Sequence, residues 1–194
     1  LEFETPILQP VYGGANARPF TTYHHCLCQN LFLRIAPELY LKRLVIGGFE
    51  KVFEIARNFR NEDIDTRHNP EFSMVEIYEA YRDYNDMMAL TEGIISHLVH
   101  TICGKYQIEF GRGHLDFTPP WRKMSMEDAV RDLAGLDTRS YSLEDLKKIA
   151  GDKGIEGYEA ATSWRELLVL FFEEMVEGQL IQPTFIYDFP IENS

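Results

Sequence analysis

The stretch from residue 49 to residue 84 constrains the fold most strongly, because two alternating runs flank a polar loop there. Side chains of a β-strand point alternately to its two sides, so a repeat of two residues predicts the two strands of a hairpin. One side of the first run carries Glu54, Ala56, Asn58 and Arg60, and one side of the second carries Phe72, Met74, Glu76 and Tyr78. A single register places both sets on the same face, so we expect Arg60 and Glu76 to point into one open cleft.

The loop between the two runs carries positive charge just before a proline. Arg67 and His68 precede Asn69, and Pro70 restricts Asn69 to an extended conformation. Cations at the tip of a hairpin favour the binding of an anion. The residues alone leave open a second interpretation, an amphipathic hairpin whose charged side faces solvent.

Composition narrows the classes of protein to which the chain can belong. With 194 residues, 45% of them hydrophobic and 13% aromatic, the chain is suited to one well-buried globular domain. It has neither the roughly 20-residue apolar run of a membrane helix nor a signal-peptide pattern, which predicts a soluble, cytoplasmic protein without membrane contact. A net charge of −12 argues against strong nucleic-acid binding by this chain alone, since phosphate contacts need a basic surface.

Histidine and cysteine cluster once, in residues 24–28. Imidazole and thiolate are usual zinc ligands, but the C-x-C spacing is shorter than a typical ligand pair and no second pair follows. We therefore favour a surface loop and expect no metal site within the chain. Cys26, Cys28 and Cys103 cannot all pair, and their low number fits free thiols in a reducing compartment.

Periodicity and capping residues predict an α+β domain whose mostly antiparallel sheet, with the hairpin at its centre, is flanked by helices. Further strands are expected at residues 3–8, 20–23, 31–35, 105–110, 115–117 and 183–188. Helices are expected between Pro37 and Gly47, over residues 86–103, and after Ser125, Ser142 and Ser163, each followed three positions later by an acid. The predicted core residues of the 86–103 helix are Met87, Leu90, Ile94, Leu98 and Ile102.

Two segments resemble the signature motifs of a known family. The run FRNEDIDTRHNPEFSMVEIYEAYRDY, residues 59–84, closely resembles the second motif of class II aminoacyl-tRNA synthetases, and its part RHNPEFSMVE is similar to the lysine-specific version. FETPIL, residues 3–8, resembles the end of the first motif. The resemblance covers nearly all of residues 1–194 and implies a partial catalytic domain of a lysyl-tRNA synthetase, with a variable helical insertion at about residues 119–178.

The resemblance implies ATP-dependent activation of lysine and its transfer to tRNA(Lys), by a homodimer that uses ATP and Mg²⁺. The third family motif, which supplies magnesium-binding acids and a final arginine, occurs nowhere in this sequence. We therefore expect the 194-residue chain alone to be an inactive fragment of a longer protein. Two alternatives stay open: a paralogue that attaches lysine to a translation elongation factor, and a synthetase-like binding module without catalysis.

The second motif assigns the residues that would bind ATP. Arg60 would be catalytic and hold both the α-phosphate and the lysine carboxylate, because a guanidinium offers two parallel donors to an oxyanion. The other implied contacts are Arg67 and His68 with the outer phosphates, Phe72 with adenine, and Asn69 and Glu62 with the base or the tRNA end. Fixed cations would offset the negative charge that gathers on the transferring phosphorus.

The resemblance also implies a lysine pocket. Gly14 and Ala15 belong to a GGA segment that lines the amino-acid pocket in the family. Glu38, in a segment APEL that resembles the family, would hold the lysine ammonium together with Glu76, beside Tyr78. From its helix position alone, Glu38 is equally well explained as a first-turn acid that favours the helix dipole. Two carboxylates in a pocket favour lysine over neutral side chains of similar length, since a buried cation without partners is costly.

Overall fold

The computed structural model of the protein describes residues 1–66, 68–111 and 113–191. The chain forms two compact units, Leu1–Asp83 and Tyr84–Ser194. Five α-helices and four small sheets are seen in the described residues, three of the sheets antiparallel and one parallel. The predicted α+β class, with mostly antiparallel strand pairing, is confirmed. The hairpin was predicted at the centre of one sheet, but in the described residues it forms a two-stranded sheet of its own. No described helix is long and apolar enough to span a bilayer.

The first unit contains one three-stranded sheet, one helix and one hairpin. Its elements are β1 (Leu8–Gln9), β2 (Thr21–His24), β3 (Gln29–Leu33), α1 (Glu38–Ile46), β4 (Lys51–Phe59) and β5 (Glu71–Glu79). The sheet has the antiparallel order β1-β3-β2, and β4 pairs with β5. Helix α1 begins directly after Pro37 and ends at Gly47, whose N–H donates to the carbonyl of Arg43 at 2.9 Å, as the start and stop residues predicted.

The β4–β5 register agrees with the alternation seen in the sequence. Glu54 pairs with Glu76, and Asn58 pairs with Phe72, so the two predicted sets share one face. On that face Val52, Glu54, Ala56 and Asn58 are buried, whereas Ile55 and Val75 on the other face are exposed. The face that carries the polar candidates is therefore the better covered of the two.

The N-terminal segment differs from the strand predicted at residues 3–8. Only Leu8–Gln9 forms a strand with β3, and Glu2 makes an isolated parallel bridge to Phe53. Pro6 has no N–H to donate to a ladder, which explains why a continuous strand is interrupted there. The segment instead links the two sheets of the first unit, because it pairs with β4 at one end and β3 at the other.

A buried ion pair fixes β4 against this segment. Arg34 and Glu54 lie 2.5 Å apart and are 4% and 3% exposed. The Arg34 Nε donates to the carbonyl of Arg57 at 2.8 Å, and the Thr5 hydroxyl donates to Glu54 Oε2 at 2.7 Å. The Glu54 carboxylate, directly across from Glu76, is therefore held by partners on both sides.

The second unit is mainly helical. Its elements are α2 (Tyr84–Cys103), β6 (Gln107–Phe110), β7 (Gly113–Asp116), β8 (Arg122–Ser125), α3 (Met126–Ala134), α4 (Leu143–Asp152), α5 (Trp164–Met175) and β9 (Thr184–Tyr187). Ser125, Ser142 and Ser163 each accept a hydrogen bond from the backbone N–H three residues later, which confirms the three predicted caps. The core lies among α3, α4 and α5, and α5 buries residues on more than one side, including Leu167 and Phe171.

Two features of this unit differ from the prediction. Ile94, Leu98 and Ile102 of α2 are exposed, while Met88 and Ser96 are buried. The buried side is set by polar contacts, since the Ser96 hydroxyl donates to the carbonyl of Phe117 at 2.8 Å. The short strand β8 was missed, and it pairs in parallel with β9.

Candidate active site

The polar face of the hairpin brings Arg60 and Phe72 together at the end of β4. The Arg60 backbone N–H donates to the carbonyl of Pro70 at 2.9 Å, which continues the pairing just beyond the strand. The guanidinium carbon of Arg60 lies 5.1 Å from the centroid of the Phe72 ring, within the range of a cation–π contact. A cation therefore lies over a half-buried aromatic ring.

A cavity of about 440 Å³ opens at this end of the hairpin. Its lining residues are Arg60, Glu62, Asp63, His68, Asn69, Pro70, Phe72 and Ser73. Five of the six residues predicted to bind ATP thus line one cavity. The sixth, Arg67, lies outside the residues that the structure describes.

The loop that walls this cavity is held by short contacts. The Arg18 N–H donates to Glu62 Oε1 at 3.2 Å, and the Asn61 N–H donates to the carbonyl of Arg18 at 2.8 Å. His68 is fixed twice by Asp65: its N–H donates to Oδ1, and its ring Nδ1 lies 2.7 Å from Oδ2. Asp65 was missed from the sequence, although its spacing of three residues from His68 could have suggested the pair.

Further along the same face, Glu76 and Tyr78 form a half-buried pair. The Tyr78 hydroxyl donates to Glu76 Oε2 at 3.0 Å. Burial raises the pKa of Glu76, and the nearby charges of Glu38 and Glu54 raise it further, while the Tyr78 hydrogen bond and Arg60 act in the opposite direction. Burial and the Glu76 charge raise the pKa of Tyr78, so its hydroxyl stays protonated and remains a donor. A cation beside this carboxylate would offset the cost of burying its charge.

The predicted Gly14–Ala15 turn lies against Glu38. Gly14 has a φ of +91°, and a Cβ at this position would come within 2.8 Å of the Glu38 Cβ. Only glycine adopts this positive φ and leaves room for the Glu38 side chain without strain. Ala15 follows in the same turn and is half-buried. The turn and the helix start are thus brought together, as the lysine-pocket prediction requires.

Lys42 was not anticipated in this pocket. Its Nζ lies 2.5 Å from Glu38 Oε1, one helical turn away, and 5.9 Å from the centroid of the Tyr78 ring. An ammonium group of the chain itself therefore lies between an acid and an aromatic ring that we predicted for the substrate ammonium. The spacing of four residues in helix α1 was the signal that could have revealed this contact.

Possible metal ligands are not clustered in residues 1–66, 68–111 and 113–191. No group of three His, Cys, Asp or Glu side chains there is arranged to hold an ion. Cys26, Cys28 and Cys103 are exposed free thiols. The described residues do not fit a magnesium site of their own.

Comparison of the sequence with known protein families identifies the family to which the chain belongs. A model of the family described as tRNA synthetases class II (D, K and N) matches residues 1–194. The chain belongs to the class II tRNA synthetases. The family predicted from the hairpin motif is therefore confirmed over the whole chain.

Similar proteins within these class II synthetases are named for lysine. The chain is 67% identical to "Lysine--tRNA ligase 2" of Methanosarcina mazei, a match that covers all of this chain and 38% of that protein. It is 55% identical to "Lysine--tRNA ligase" of Nostoc punctiforme, covering 35% of it, and 51% identical to the protein of that name from Clostridium botulinum, covering 39%. The chain thus spans well under half the length of these relatives.

Proposed function

We propose that this chain is part of the catalytic domain of a lysyl-tRNA synthetase, which activates lysine with ATP and transfers it to tRNA(Lys). The observation that carries the proposal is the position of Arg60, which lines the cavity that contains Phe72 and extends the hairpin face that carries Glu76. Burial raises the pKa of Glu76, and the charge of Arg60 opposes that rise, so the two side chains interact electrostatically. The names of the similar proteins support the choice of lysine and of a tRNA acceptor.

In the activation step, a carboxylate oxygen of lysine attacks the α-phosphorus of ATP and forms a new P–O bond. The bond between that phosphorus and the bridging oxygen to the β-phosphate breaks, and pyrophosphate leaves. The terminal nitrogens of Arg60 would donate to the attacking carboxylate and to the α-phosphate, where negative charge gathers in the transition state. Mg²⁺ would neutralise further phosphate charge, with ligands supplied from outside the described residues.

ATP would occupy the 440 Å³ cavity. The Phe72 ring would stack on adenine, and Asn69 and Glu62 would contact the base or the tRNA end. His68, held in place by Asp65, would meet the outer phosphates together with Arg67.

Lysine would bind further along the hairpin. Glu76 and Glu38 would hold its ammonium group, with the Tyr78 hydroxyl orienting Glu76. Gly14 and Ala15 would form the wall beside Glu38, because the turn comes close enough to exclude a side chain there. Selectivity follows, since a neutral side chain of similar length would leave the half-buried carboxylate of Glu76 without a cation.

Several further assignments complete the proposal. We assign residues of about 119–178, which include α3, α4 and α5, to a variable helical insertion of the catalytic domain. We expect the full-length protein to be a homodimer located in the cytoplasm. The protein-modifying alternative differs only in its acceptor, and the experiment below distinguishes it.

The test uses the full-length protein that contains this chain. We expect lysine-dependent exchange of pyrophosphate into ATP, and lysine attachment to tRNA(Lys) but not to a protein acceptor. Arg60→Lys keeps the charge but loses the planar pair of donors, so kcat should fall about 10²-fold or more. Arg57→Lys is the matched control, because Arg57 is an exposed arginine near the end of β4 on the opposite face of the hairpin. Absence of exchange in the parent protein, or an unaffected Arg60→Lys variant, would overturn the proposal.

A further inference from the structure

Asn58 presents a polar side chain where packing favours an apolar one. It lies in β4 between Ala56 and Arg60, and its side chain is fully buried. Its cross-strand partner is Phe72. In the described part of the chain, the buried side-chain atoms without a hydrogen-bond partner are Gln9 Oε1, Asn58 Nδ2, Asn58 Oδ1 and Arg60 Nε. Three of these four atoms belong to Asn58 and Arg60, which lie two positions apart on one face of the hairpin.

Such a cluster needs an explanation. Buried polar groups in native proteins nearly always have a partner, and each one without a partner costs free energy. A leucine of similar size would remove this cost at position 58, so stability alone does not account for an asparagine there. The unpaired Nε belongs to Arg60, the next residue on the same face and the one on which the proposed chemistry depends.

We propose that Asn58 positions Arg60 through one buried water molecule. The Arg60 Nε–H donates to this water, and the water bonds in turn to the Asn58 amide. A water molecule suits the site because it needs several polar neighbours, which the Nε–H and the amide supply. Asn58 is then a positioning residue that does not itself touch the substrates.

The consequence follows from the geometry of guanidinium. The group is planar and its donors are fixed relative to one another, so a partner on Nε determines where the terminal nitrogens point. With Nε held on the side of Asn58, the terminal donors are turned toward the cavity beside Phe72. This inference rests on the proposed function, in which those donors hold the carboxylate and the α-phosphate.

The experiment compares two variants of Asn58 in the full-length protein. Asn58→Leu removes the amide and keeps the volume, whereas Asn58→Asp keeps the shape and an acceptor. We expect Asn58→Leu to lower kcat for pyrophosphate exchange about tenfold to 100-fold, because a small misplacement of a catalytic group has effects of this size. Its midpoint of urea unfolding should be no lower than that of the parent, and Asn58→Asp should recover most of the lost kcat.

A double-mutant cycle separates positioning from packing. If Asn58 acts through Arg60, Asn58→Leu should have almost no further effect on kcat in an Arg60→Lys background. Additive losses in the double variant would overturn the inference, as would an unchanged kcat in Asn58→Leu. An equal loss of kcat in Asn58→Leu and Asn58→Asp, accompanied by lowered unfolding midpoints, would also overturn it, since packing alone would then explain the effect. A parent protein without lysine-dependent exchange would instead refute the proposed function.

Discussion

Replacing Glu76 with glutamine should separate ligand binding from stability. The change removes the charge and keeps the shape. In the parent protein the Tyr78 hydroxyl donates to Glu76 Oε2 at 3.0 Å, and a glutamine carbonyl can still accept this hydrogen bond. In the proposed pocket, Glu76 forms a charged hydrogen bond with the lysine ammonium. Such a bond contributes about 1.5–3 kcal/mol, so lysine affinity should fall about 10- to 100-fold while ATP affinity is unchanged.

The effect on stability should have the opposite sign. Because burial raises the pKa of Glu76 above its ordinary value of 4.5, the folded protein favours the protonated carboxyl. The contribution of this group to the unfolding free energy is present below pH 4.5 and is lost as the pH rises through the raised pKa. Glu76→Gln removes an ionised group that the ligand-free fold disfavours, so its urea midpoint at pH 7.5 should be equal to or higher than that of the parent.

Calorimetric titration of the full-length protein with lysine and with ATP, at pH 7.5 and at lower pH, would measure both effects. Lysine affinity of the parent should weaken as the pH falls toward the raised pKa, and Glu76→Gln should lose this dependence. Glu71→Gln is the matched control, since Glu71 is an exposed acid on the same strand. Equal losses of lysine and ATP affinity would refute the reasoning, because they would indicate a damaged fold rather than a lost charge contact.

Two further predictions concern neighbouring charges. Arg34→Met leaves the buried carboxylate of Glu54 without its cation. The unfolding free energy measured by urea titration should therefore fall by about 3–5 kcal/mol. A loss under about 1 kcal/mol would show that the ion pair is not isolated from water. Lys42→Met removes the ammonium that binds Glu38, so lysine affinity measured by calorimetry should rise by up to about fivefold, the range of one exposed ion pair. Weaker lysine binding in this variant would mean that Lys42 supports the pocket instead of competing for it.

The hairpin was predictable because its signal is local. A repeat of two residues determines which side chains share a face, and pairing of Glu54 with Glu76 follows once that face is buried. The three serine caps were equally local, since each needs only one acid three residues away. By contrast, β8 pairs with β9, about 60 residues later, and no short-range pattern indicates that partner.

The buried side of α2 was not predictable from periodicity. The helix carries apolar residues on more than one side, so hydrophobic spacing favoured Ile94 and Leu98 although the buried side contains Met88 and Ser96. Hydrogen bonds to residues 117 and 121, made by Ser96 and Glu92, decide the orientation. Such polar contacts depend on the position of a loop about 20 residues or more away in the sequence, which local periodicity does not predict.

Within the candidate site, residue types were predictable and their mutual contacts were not. Arg60, Phe72 and Glu76 follow from strand alternation together with the family motif. Lys42 and Asn58 carry no motif of their own, and they became candidates only when the contacts of one and the burial of the other were known. When the role of a side chain depends on a spatial neighbour, the local sequence pattern does not indicate that role.

In the proposed function, the ATP and lysine sites lie on one strand pair, and this has a consequence for selectivity. Glu76 and Phe72 are four residues apart on β5, which separates them by about 13 Å along a strand that rises about 3.3 Å per residue. A regular antiparallel pair has no hinge between these positions, so their backbone separation is set before substrates bind. In the proposed site, an amino acid one methylene shorter than lysine would therefore contact Glu76 and Arg60 together less well than lysine does. Discrimination against such a molecule would therefore arise in the chemical step as well as in binding, because only the correct length brings the attacking oxygen to the α-phosphorus.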